Sequence, residues 1–364
     1  MRLERRAAPL LADEEIVPPG VRMMASVDLG RAFGLRAAGV YYALGLLIAA
    51  LAVVTAVTGR PSYLSAVNLT NIVYQSAGVA IMGVAMTVVL ITGNFDLSVA
   101  SVAALAAAVQ ISVVDSAGFV PALLAALGVA GAVGLLNGVM VQFVGINAFI
   151  VTLGTLTAVR GLVLIVTNGR SLMVQDPGSL AAMTSFESGH LGRIPLPILY
   201  MGAFTLIVWF VLTFTIVGRR IYAVGGNAEA ARLSGINVTA YKLGAFVLSS
   251  LAAGFAGVLF GCRFGAINPT AMQGDELTVI AAAILGGTSL FGGAGSVVKT
   301  LAGALLLFTL TNGFNILDLG ANYQGLIEGT VLVVAAAIYT VGGKARRGRR
   351  AVAADSAAPT KEAV

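Results

Sequence analysis

A series of long apolar stretches runs through this chain and limits its fold more than any other feature. A helix needs about 20 apolar residues to cross the roughly 30 Å hydrocarbon core of a bilayer. Most of the stretches approach that length, and only 276–290 is short and interrupted by glycine. The series predicts an all-α polytopic membrane protein with about ten transmembrane helices. The stretches are 38–58, 68–91, 97–115, 119–142, 148–167, 197–217, 241–262, 276–290, 296–317 and 323–342.

Composition also indicates a membrane protein rather than a soluble domain. The mean hydropathy is +0.94 and 10% of the residues are charged, whereas about 25% is usual in soluble proteins. Of the 22 basic and 16 acidic residues, 11 lie before residue 38 and 8 lie after residue 343. We therefore expect a cytoplasmic tail over 1–37, a transmembrane domain over 38–342 and a basic cytoplasmic tail over 343–364.

The basic residues indicate how the helices are oriented. Basic flanks mark the cytoplasmic side of a membrane protein, and ten crossings place both termini on that same side. The count makes 218–240 a cytoplasmic loop and 168–196 an external loop. The net charge of +6 does not indicate a nucleic-acid partner, because its densest cluster flanks a membrane span. That cluster comprises Lys344, Arg346, Arg347, Arg349 and Arg350.

Residues for catalysis or metal binding are missing from the sequence. One cysteine, Cys262, and one histidine, His190, exclude an intramolecular disulfide and a His-rich metal site. Neither a GxSxG nor an HExxH motif occurs. GGAGSVVKT at 292–300 is the nearest approach to a phosphate-binding loop, but Val298 replaces the glycine that must precede the lysine. We expect no catalytic residue, metal or cofactor, and no enzymatic activity.

The most polar internal segment is GRRIYAVGGNAEAARLSGINVTA at 218–240. It predicts a short capped helix, with Asn227 as the N-cap residue and Glu229 in the first turn. Arg232 lies near the end of this helix, and Gly235 is placed to terminate it. A helix of about two turns is too short to fold alone. Either the rest of the chain or a partner must therefore hold it.

An internal repeat is visible when 96–105 is aligned with 276–285. DLSVASVAAL and ELTVIAAAIL begin with acidic residues, Asp96 and Glu276, and both follow a helix-breaking segment. They open the third and eighth apolar stretches, so the copies would cross in opposite directions, as in inverted-topology repeats. Chance similarity between alanine-rich helices is the alternative. Each carboxylate either stabilises its helix N-terminus by about 1 kcal/mol or lines a translocation path.

Arg160 is the most unusual ionisable residue, because it lies near the middle of the run 149–167. An unpaired arginine at that depth costs roughly 2.5–3.5 kcal/mol on insertion scales, so it should face the protein interior and have a partner. Asp96 and Glu328 are the candidate partners, and both a structural ion pair and a pore role stay open. The translocation-path candidates are Asn94, Asp96, Arg160, Glu276, Asn312 and Glu328.

Four segments carry a resemblance to a known family. They are GNFDLSVAS at 93–101, INAFIVTLGTLTAVRGL at 146–162, GRRIYAVGGNAEAARLSGINV at 218–238 and ELTVIAAAILGGTSLFGGAGSV at 276–297. Together the chain resembles the permease subunit of bacterial ATP-binding-cassette (ABC) importers for ribose and related monosaccharides. That clade also includes branched-chain amino-acid permeases. Lys299, where the family usually has a small residue, and the long N-terminal tail depart from the family pattern.

The resemblance implies that 218–238 is the loop that docks on the ATPase subunit. The implied coupling residues are Gly225, Gly226, Asn227, Glu229, Ala230, Ala231, Arg232 and Gly235. The implied partners are a second permease copy (a homodimer or a paired permease), a cytoplasmic ABC ATPase, and a periplasmic or lipid-anchored sugar-binding protein. The substrate would be a small sugar, and the chain would be a multi-pass protein of the bacterial cytoplasmic (inner) membrane.

Two other functions stay open. One is a branched-chain amino-acid ABC permease, although GGNAEAARLSGINV favours the sugar branch. The other is an ion-coupled secondary transporter, which would need no ATPase. It would use intramembrane carboxylates for coupling, and Asp96 and Glu328 are the plausible ones.

Overall fold

The protein is described by a computed structural model over residues 35–318 and 329–330. Eight helices in this part of the chain are long and apolar enough to cross a membrane, which confirms an all-α polytopic membrane protein. The helices are α1 (Leu35–Val57), α2 (Ala66–Ile91), α3 (Val99–Ala117), α4 (Phe119–Val139, continued by a π-helical turn, Met140–Val144), α5 (Ala148–Thr167), α6 (Pro177–Ser188), α7 (Leu196–Phe214), α8 (Ile216–Gly226), α9 (Ala228–Leu233), α10 (Val238–Phe264), α11 (Asp275–Leu285) and α12 (Val297–Leu317).

Some of the predicted features lie outside the described residues. These are Glu328, the basic tail and residues 1–34 of the N-terminal tail. The tenth apolar stretch, 323–342, also lies outside them apart from residues 329–330. The boundaries of the predicted tails therefore stay predictions.

Local sequence determines where several helices begin. The N-cap side chains of Ser65, Asn147, Asp176 and Asn237 each accept a hydrogen bond from a backbone N–H in the first turn of the helix that follows. Such a bond satisfies one of the N–H groups that a helix start leaves unpaired. Helices α2, α5, α6 and α10 therefore begin at side chains suited to that role.

Helix α10 lies among α2, α3 and α4, and glycines bring these helices close together. A Cβ atom added at Gly257 of α10 would overlap the Ala103 carbonyl oxygen of α3. A Cβ at Gly134 of α4 would lie 2.7 Å from the Ser250 Cβ of α10. Small residues let membrane helices approach closely, which strengthens van der Waals packing. The core is accordingly built from Ala, Gly and Val as well as larger side chains.

Two ends of the helix assembly can be defined by their contacts. At the α9 end, Ile91 at the end of α2 meets α8 and the loop 287–296. At the β1–β4 end, strand β1 (Leu172–Met173) pairs antiparallel with β4 (Ala266–Ile267). A second pair of two-residue strands, β2 (His190–Leu191) and β3 (Ile194–Pro195), lies between α6 and α7.

The eighth predicted span, 276–290, contains a helix that is too short to cross the membrane alone. Helix α11 has 11 residues and is about 16 Å long, whereas a membrane crossing needs about 30 Å. The chain nevertheless passes from Ile267 at the β1–β4 end to Gly293 at the α9 end. It makes this passage with an irregular segment, 268–274, followed by α11. The discontinuity follows from Gly274, which has a φ of 97° and lies immediately before α11.

Helices α3 and α11 run in opposite directions. Helix α3 begins near the α9 end and finishes near the β1–β4 end, where Asp115 accepts a hydrogen bond of 2.8 Å from the backbone N–H of Gln175. Helix α11 approaches the α9 end, where Gly286 packs against Thr300. Opposite directions are what an inverted repeat requires, but the two helices have 19 and 11 residues. The repeat stays a prediction.

Candidate functional site

The predicted short helix in 218–240 is present as α9. Asn227 is its N-cap residue, and the Oδ1 atom accepts a 3.0 Å hydrogen bond from the backbone N–H of Ala230. Glu229 and Arg232 lie in its first and last turns, with 3.4 Å between Oε2 and Nη1. Gly235 follows with a φ of 78°, a conformation that glycine adopts without strain. Local sequence therefore forms this helix as predicted.

The rest of the chain holds one face of the α8–α9 pair. Ala231 is buried together with Val224 of α8 and Val238 of α10. A Cβ atom on Gly225 would overlap the Ile91 carbonyl oxygen. That same oxygen accepts a 2.9 Å hydrogen bond from the backbone N–H of Gly293. The α8–α9 pair is thus attached by backbone contacts to the end of α2 and to the loop before α12.

Tyr222 adds a second connection between α8 and the same loop. Its hydroxyl donates a 2.9 Å hydrogen bond to the carbonyl oxygen of Gly295. Burial raises the pKa of the Tyr222 phenol, so the group stays a neutral donor at physiological pH. Tyr222 therefore ties α8 to the loop that joins α11 to α12.

The other face of α9 is open. Glu229, Ala230, Arg232 and Gly235 are exposed, and the Leu233 side chain is 81% exposed. Gly226 is exposed as well, with no atom within 4 Å of the position its Cβ would take. One face of a six-residue helix is therefore fixed to the chain, and the opposite face presents charges and one apolar side chain.

Asp96 is fully buried near the α9 end, between α2 and α3. Its Oδ1 atom accepts bonds from the backbone N–H and the hydroxyl of Ser98, at 3.0 and 2.6 Å. Ser98 Oγ accepts a 3.0 Å bond from the Asn137 amide, whose oxygen accepts a 2.6 Å bond from Thr155. Asp96 Oδ2 has no hydrogen-bond partner among the described residues. These bonds tie the start of α3 to α4 and α5.

The two polar residues Asn94 and Asn312 make contacts within the protein. Asn94 is buried next to Asp96 and donates a 3.1 Å bond to the Thr92 hydroxyl. Asn312 of α12 donates a 3.0 Å bond to the Asn68 side chain of α2. The contact of Asn312 therefore links α12 to α2.

Arg160 contacts backbone carbonyls rather than Asp96, and its other predicted partner, Glu328, lies outside the described residues. Its Nη1 atom donates to the carbonyl oxygen of Ala271 at 2.8 Å and to that of Pro269 at 3.5 Å. Its charge also interacts with the carboxylates of Asp275 and Glu276. Asp96 forms its bonds elsewhere, so the pairing of Arg160 with Asp96 is not present in this structure. Arg160 instead holds the irregular segment that precedes α11 through two of its backbone carbonyls.

Glu276 lies at the start of α11, as predicted for an acid at a helix N-terminus. Its Oε2 atom accepts a 3.2 Å bond from the backbone N–H of Gly274. Helix dipoles favour a negative charge at this position. Asp96 and Glu276 therefore both lie where a helix begins. Asp96 accepts its bonds from Ser98, two residues later in the chain, whereas Glu276 accepts its bond from Gly274, two residues earlier.

Sequence analysis missed Glu187. Glu187 lies in the predicted external loop 168–196, yet the residue is only 3% exposed. The hydroxyl of Tyr74 on α2 lies 2.6 and 2.7 Å from its two carboxylate oxygens. The sequence does contain a signal for the helix that carries Glu187. It is Asp176-Pro177, an N-cap residue followed by proline at the first helical position. It indicates α6 within the loop, but it does not show which side chain of α6 is buried.

The spanning helices define a polytopic membrane protein, and α9 is a surface element that the chain holds on one face. The chain belongs to the family described as the permease component of branched-chain amino acid transport systems, whose model matches residues 68–336. It is accordingly a multi-pass protein of the inner membrane.

Several curated relatives cover most of the chain. The chain is 40% identical over 291 residues to the ribose import permease protein of Escherichia coli (strain K12), covering 79% of this chain and 91% of that protein. It is 36% identical to the D-allose transport system permease protein of the same strain, covering 79% and 89%. It is 34% identical to the L-arabinose ABC transporter permease protein of Azospirillum brasilense, covering 76% and 80%. These relatives are transport permeases, not enzymes. No solved structure matches the chain significantly.

Proposed function

We propose that this chain is the transmembrane subunit of an ATP-driven importer that takes up a monosaccharide delivered by a binding protein. The α9 end lies in the cytoplasm, where the exposed face of α9 contacts a separate ABC ATPase. A second permease copy completes the translocation path, and a sugar-binding protein docks at the β1–β4 end. The sequence of this chain contains no nucleotide-binding motif, so ATP is hydrolysed in the partner.

The single observation that carries the proposal is the two-sided arrangement of α9. Its inner face is joined by backbone contacts to Ile91 and to the loop containing Gly293. Its outer face presents Glu229, Arg232 and Leu233 to solvent. An element that is rigidly attached on one side and open on the other transmits the movement of a partner into the helices.

The contacts of α8 and α9 indicate which membrane helices would move with them. The Ile91 contact leads into α2, and the loop 287–296 leads into α11 and α12. When ATP binding closes the ATPase dimer, movement of α9 would shift these helices together. The two permease copies would then rock between inward and outward openings. Rigid-body rotation of subunits about an interface is one of the established forms of such a transition.

The names of the relatives support a monosaccharide as the substrate. Ribose, allose and arabinose are all neutral polyhydroxy compounds, and three relatives carry these names. The rival substrate is a branched-chain amino acid, which the description of the family names. Selection among sugars would rest mainly on the binding protein, because a permease needs only weak contacts to let the sugar pass.

The experiment is purification of the tagged full-length chain from its native membrane, followed by uptake assays in proteoliposomes. We expect an ABC ATPase to co-purify and uptake of a labelled pentose or hexose to require ATP and a sugar-binding protein. Uptake of leucine instead of sugar would indicate the amino-acid branch. Uptake driven by an ion gradient without ATP would overturn the proposal in favour of a secondary transporter.

A further inference from the structure

A cavity of about 250 Å³ lies between α2, α6, α10 and the N-terminus of α11. Its mouth is formed by the exposed residues Gln75, Arg263 and Phe264, while Ala77 and Leu259 form a buried wall. The last residues of α10 and the helix α6 place it on the β1–β4 side of the protein. Pockets for drug-sized ligands are usually about 300 Å³ or larger, so this cavity suits a smaller molecule.

One wall of the cavity holds three polar side chains in fixed positions. Tyr74 donates its hydroxyl to the buried carboxylate of Glu187. The guanidinium of Arg263 lies over the Tyr74 ring, with its Cζ atom 4.7 Å from the ring centroid. Ser188 donates a further 2.9 Å bond to Glu187. Because Glu187 is held by two hydroxyl donors, its carboxylate is oriented before any ligand arrives.

The opposite wall is the discontinuity before α11. Met272, with a φ of 57°, and Asp275, in the first turn, both line the cavity. Binding sites of membrane transporters are commonly built at such broken helices, where irregular backbone borders a polar cavity. Arg160 positions this wall, because it donates to the carbonyl oxygen of Ala271 directly before Met272.

The charges of the lining indicate the class of ligand. Glu187 and Asp275 supply two carboxylates and Arg263 supplies one guanidinium, so an anion would meet net repulsion. Carboxylates accept hydrogen bonds from hydroxyl groups, and hydrogen bonds to charged acceptors are the stronger ones. Rings of Tyr74, Phe260 and Phe264 add flat apolar faces. A small neutral molecule with several hydroxyls matches both kinds of surface.

We propose that this cavity is a subsite for a monosaccharide on the external side of the permease, bounded by Tyr74, Glu187, Arg263 and the start of α11. The inference rests on the proposed function, because it names where the sugar first contacts this chain. Weak binding is expected, since a site on a transport path must release its ligand. Arg160 acts here as a positioning residue through the segment that contains Ala271.

The test is protection of a cysteine at the mouth of the cavity. Gln75→Cys is made in the full-length chain in membrane vesicles and labelled with a small polar thiol reagent. Asn71→Cys is the matched control, because Asn71 is an exposed amide one helical turn away on α2 and does not line the cavity. The unsubstituted protein, whose Cys262 is buried, serves as the blank.

We expect ribose, allose or arabinose to slow labelling at position 75 and not at position 71. At a sugar concentration about three times the Kd, labelling should slow about fourfold, as for simple exclusion by a bound ligand. Protection by leucine alone would overturn the assignment to a sugar. Equal labelling with and without any of the three sugars would overturn the subsite itself.

A second variant tests the polar wall independently. Tyr74→Phe keeps the ring under Arg263 and removes the hydroxyl that orients Glu187. In the Gln75→Cys background, we expect the sugar concentration that half-protects position 75 to rise about three- to tenfold, as for loss of one hydrogen bond. An unchanged half-protecting concentration in a folded Tyr74→Phe protein would overturn the subsite. Uptake of the same sugar by the wild-type protein tests the importer function separately. Failure of the subsite can therefore be distinguished from failure of the proposed function.

Discussion

The backbone of Gly225 lies against the carbonyl oxygen of Ile91, and no side chain fits between them. The same oxygen accepts a hydrogen bond from Gly293. Three segments that are far apart in sequence therefore meet at one backbone carbonyl. This junction is where α8 and α9 are connected to the membrane helices.

Gly225→Ala should destabilise the protein, and Gly226→Ala should not. The new methyl at 225 would overlap Ile91, and overpacking of this kind costs about 1–3 kcal/mol. The neighbouring position 226 has open space around it, so its variant should stay within about 0.5 kcal/mol. The free energy of unfolding in micelles measures both effects. Equal stabilities for the two variants would show that the Gly225 contact is not close in solution.

Glu229→Arg should weaken co-purification of an ATPase without weakening the fold. Glu229 is exposed and its contact with Arg232 is 3.4 Å long, and an exposed pair at this spacing contributes about 0.5 kcal/mol at most. Arg193→Glu, a charge reversal at an exposed position of the β1–β4 end, is the matched control. Pull-down from membranes measures the partner. If both variants retain the ATPase equally, the exposed face of α9 is not its docking surface.

Arg160 and Asp96 should behave as independent sites. Arg160→Met removes the bonds to the carbonyls of Ala271 and Pro269, and a hydrogen bond to a charged group contributes about 1.5–3 kcal/mol. Asp96→Asn keeps an acceptor for Ser98. In the double variant the two losses of stability should add within about 0.5 kcal/mol. A larger coupling energy would show that the two residues pair in the membrane.

Gly257→Ala should disrupt the packing of α10, and Gly244→Ala on the same helix should be tolerated. A methyl at 257 would overlap the Ala103 carbonyl of α3, whereas position 244 has no atom within 4 Å. The expected loss for Gly257→Ala is again about 1–3 kcal/mol. The yield of monodisperse protein and its unfolding free energy check this. A neutral Gly257→Ala would mean that α3 and α10 are further apart than described.

Much of the helical framework could be predicted from the apolar stretches. Helices α3, α4, α5, α7, α10 and α12 lie close to the predicted spans, because about 20 apolar residues without charge have few structures open to them in a bilayer. The capped helix α9 was also predictable, since Asn227, Glu229, Arg232 and Gly235 are local signals. Both kinds of feature depend on neighbours in the sequence.

Features that depend on distant residues could not be predicted. The sequence shows that 276–290 is short and interrupted by Gly286 and Gly287, but it does not show that the irregular segment 268–274 completes the passage between the two ends of the helix assembly. Among the described residues, Arg160 donates to two backbone carbonyls, which composition cannot reveal. Glu187 is buried because Tyr74 reaches it from another helix. In each case the tertiary arrangement decided the outcome.

The junction at Ile91 also has a consequence for the order in which the protein is made. Helix α9 is synthesised long before Gly293, yet the hydrogen bond from Gly293 completes the junction that holds it. A nascent chain that ends before residue 293 therefore already contains the residues of α9 but lacks the hydrogen bond from Gly293 to Ile91. Under the proposed function, we therefore expect assembly with the ATPase to follow insertion of the chain through residue 293.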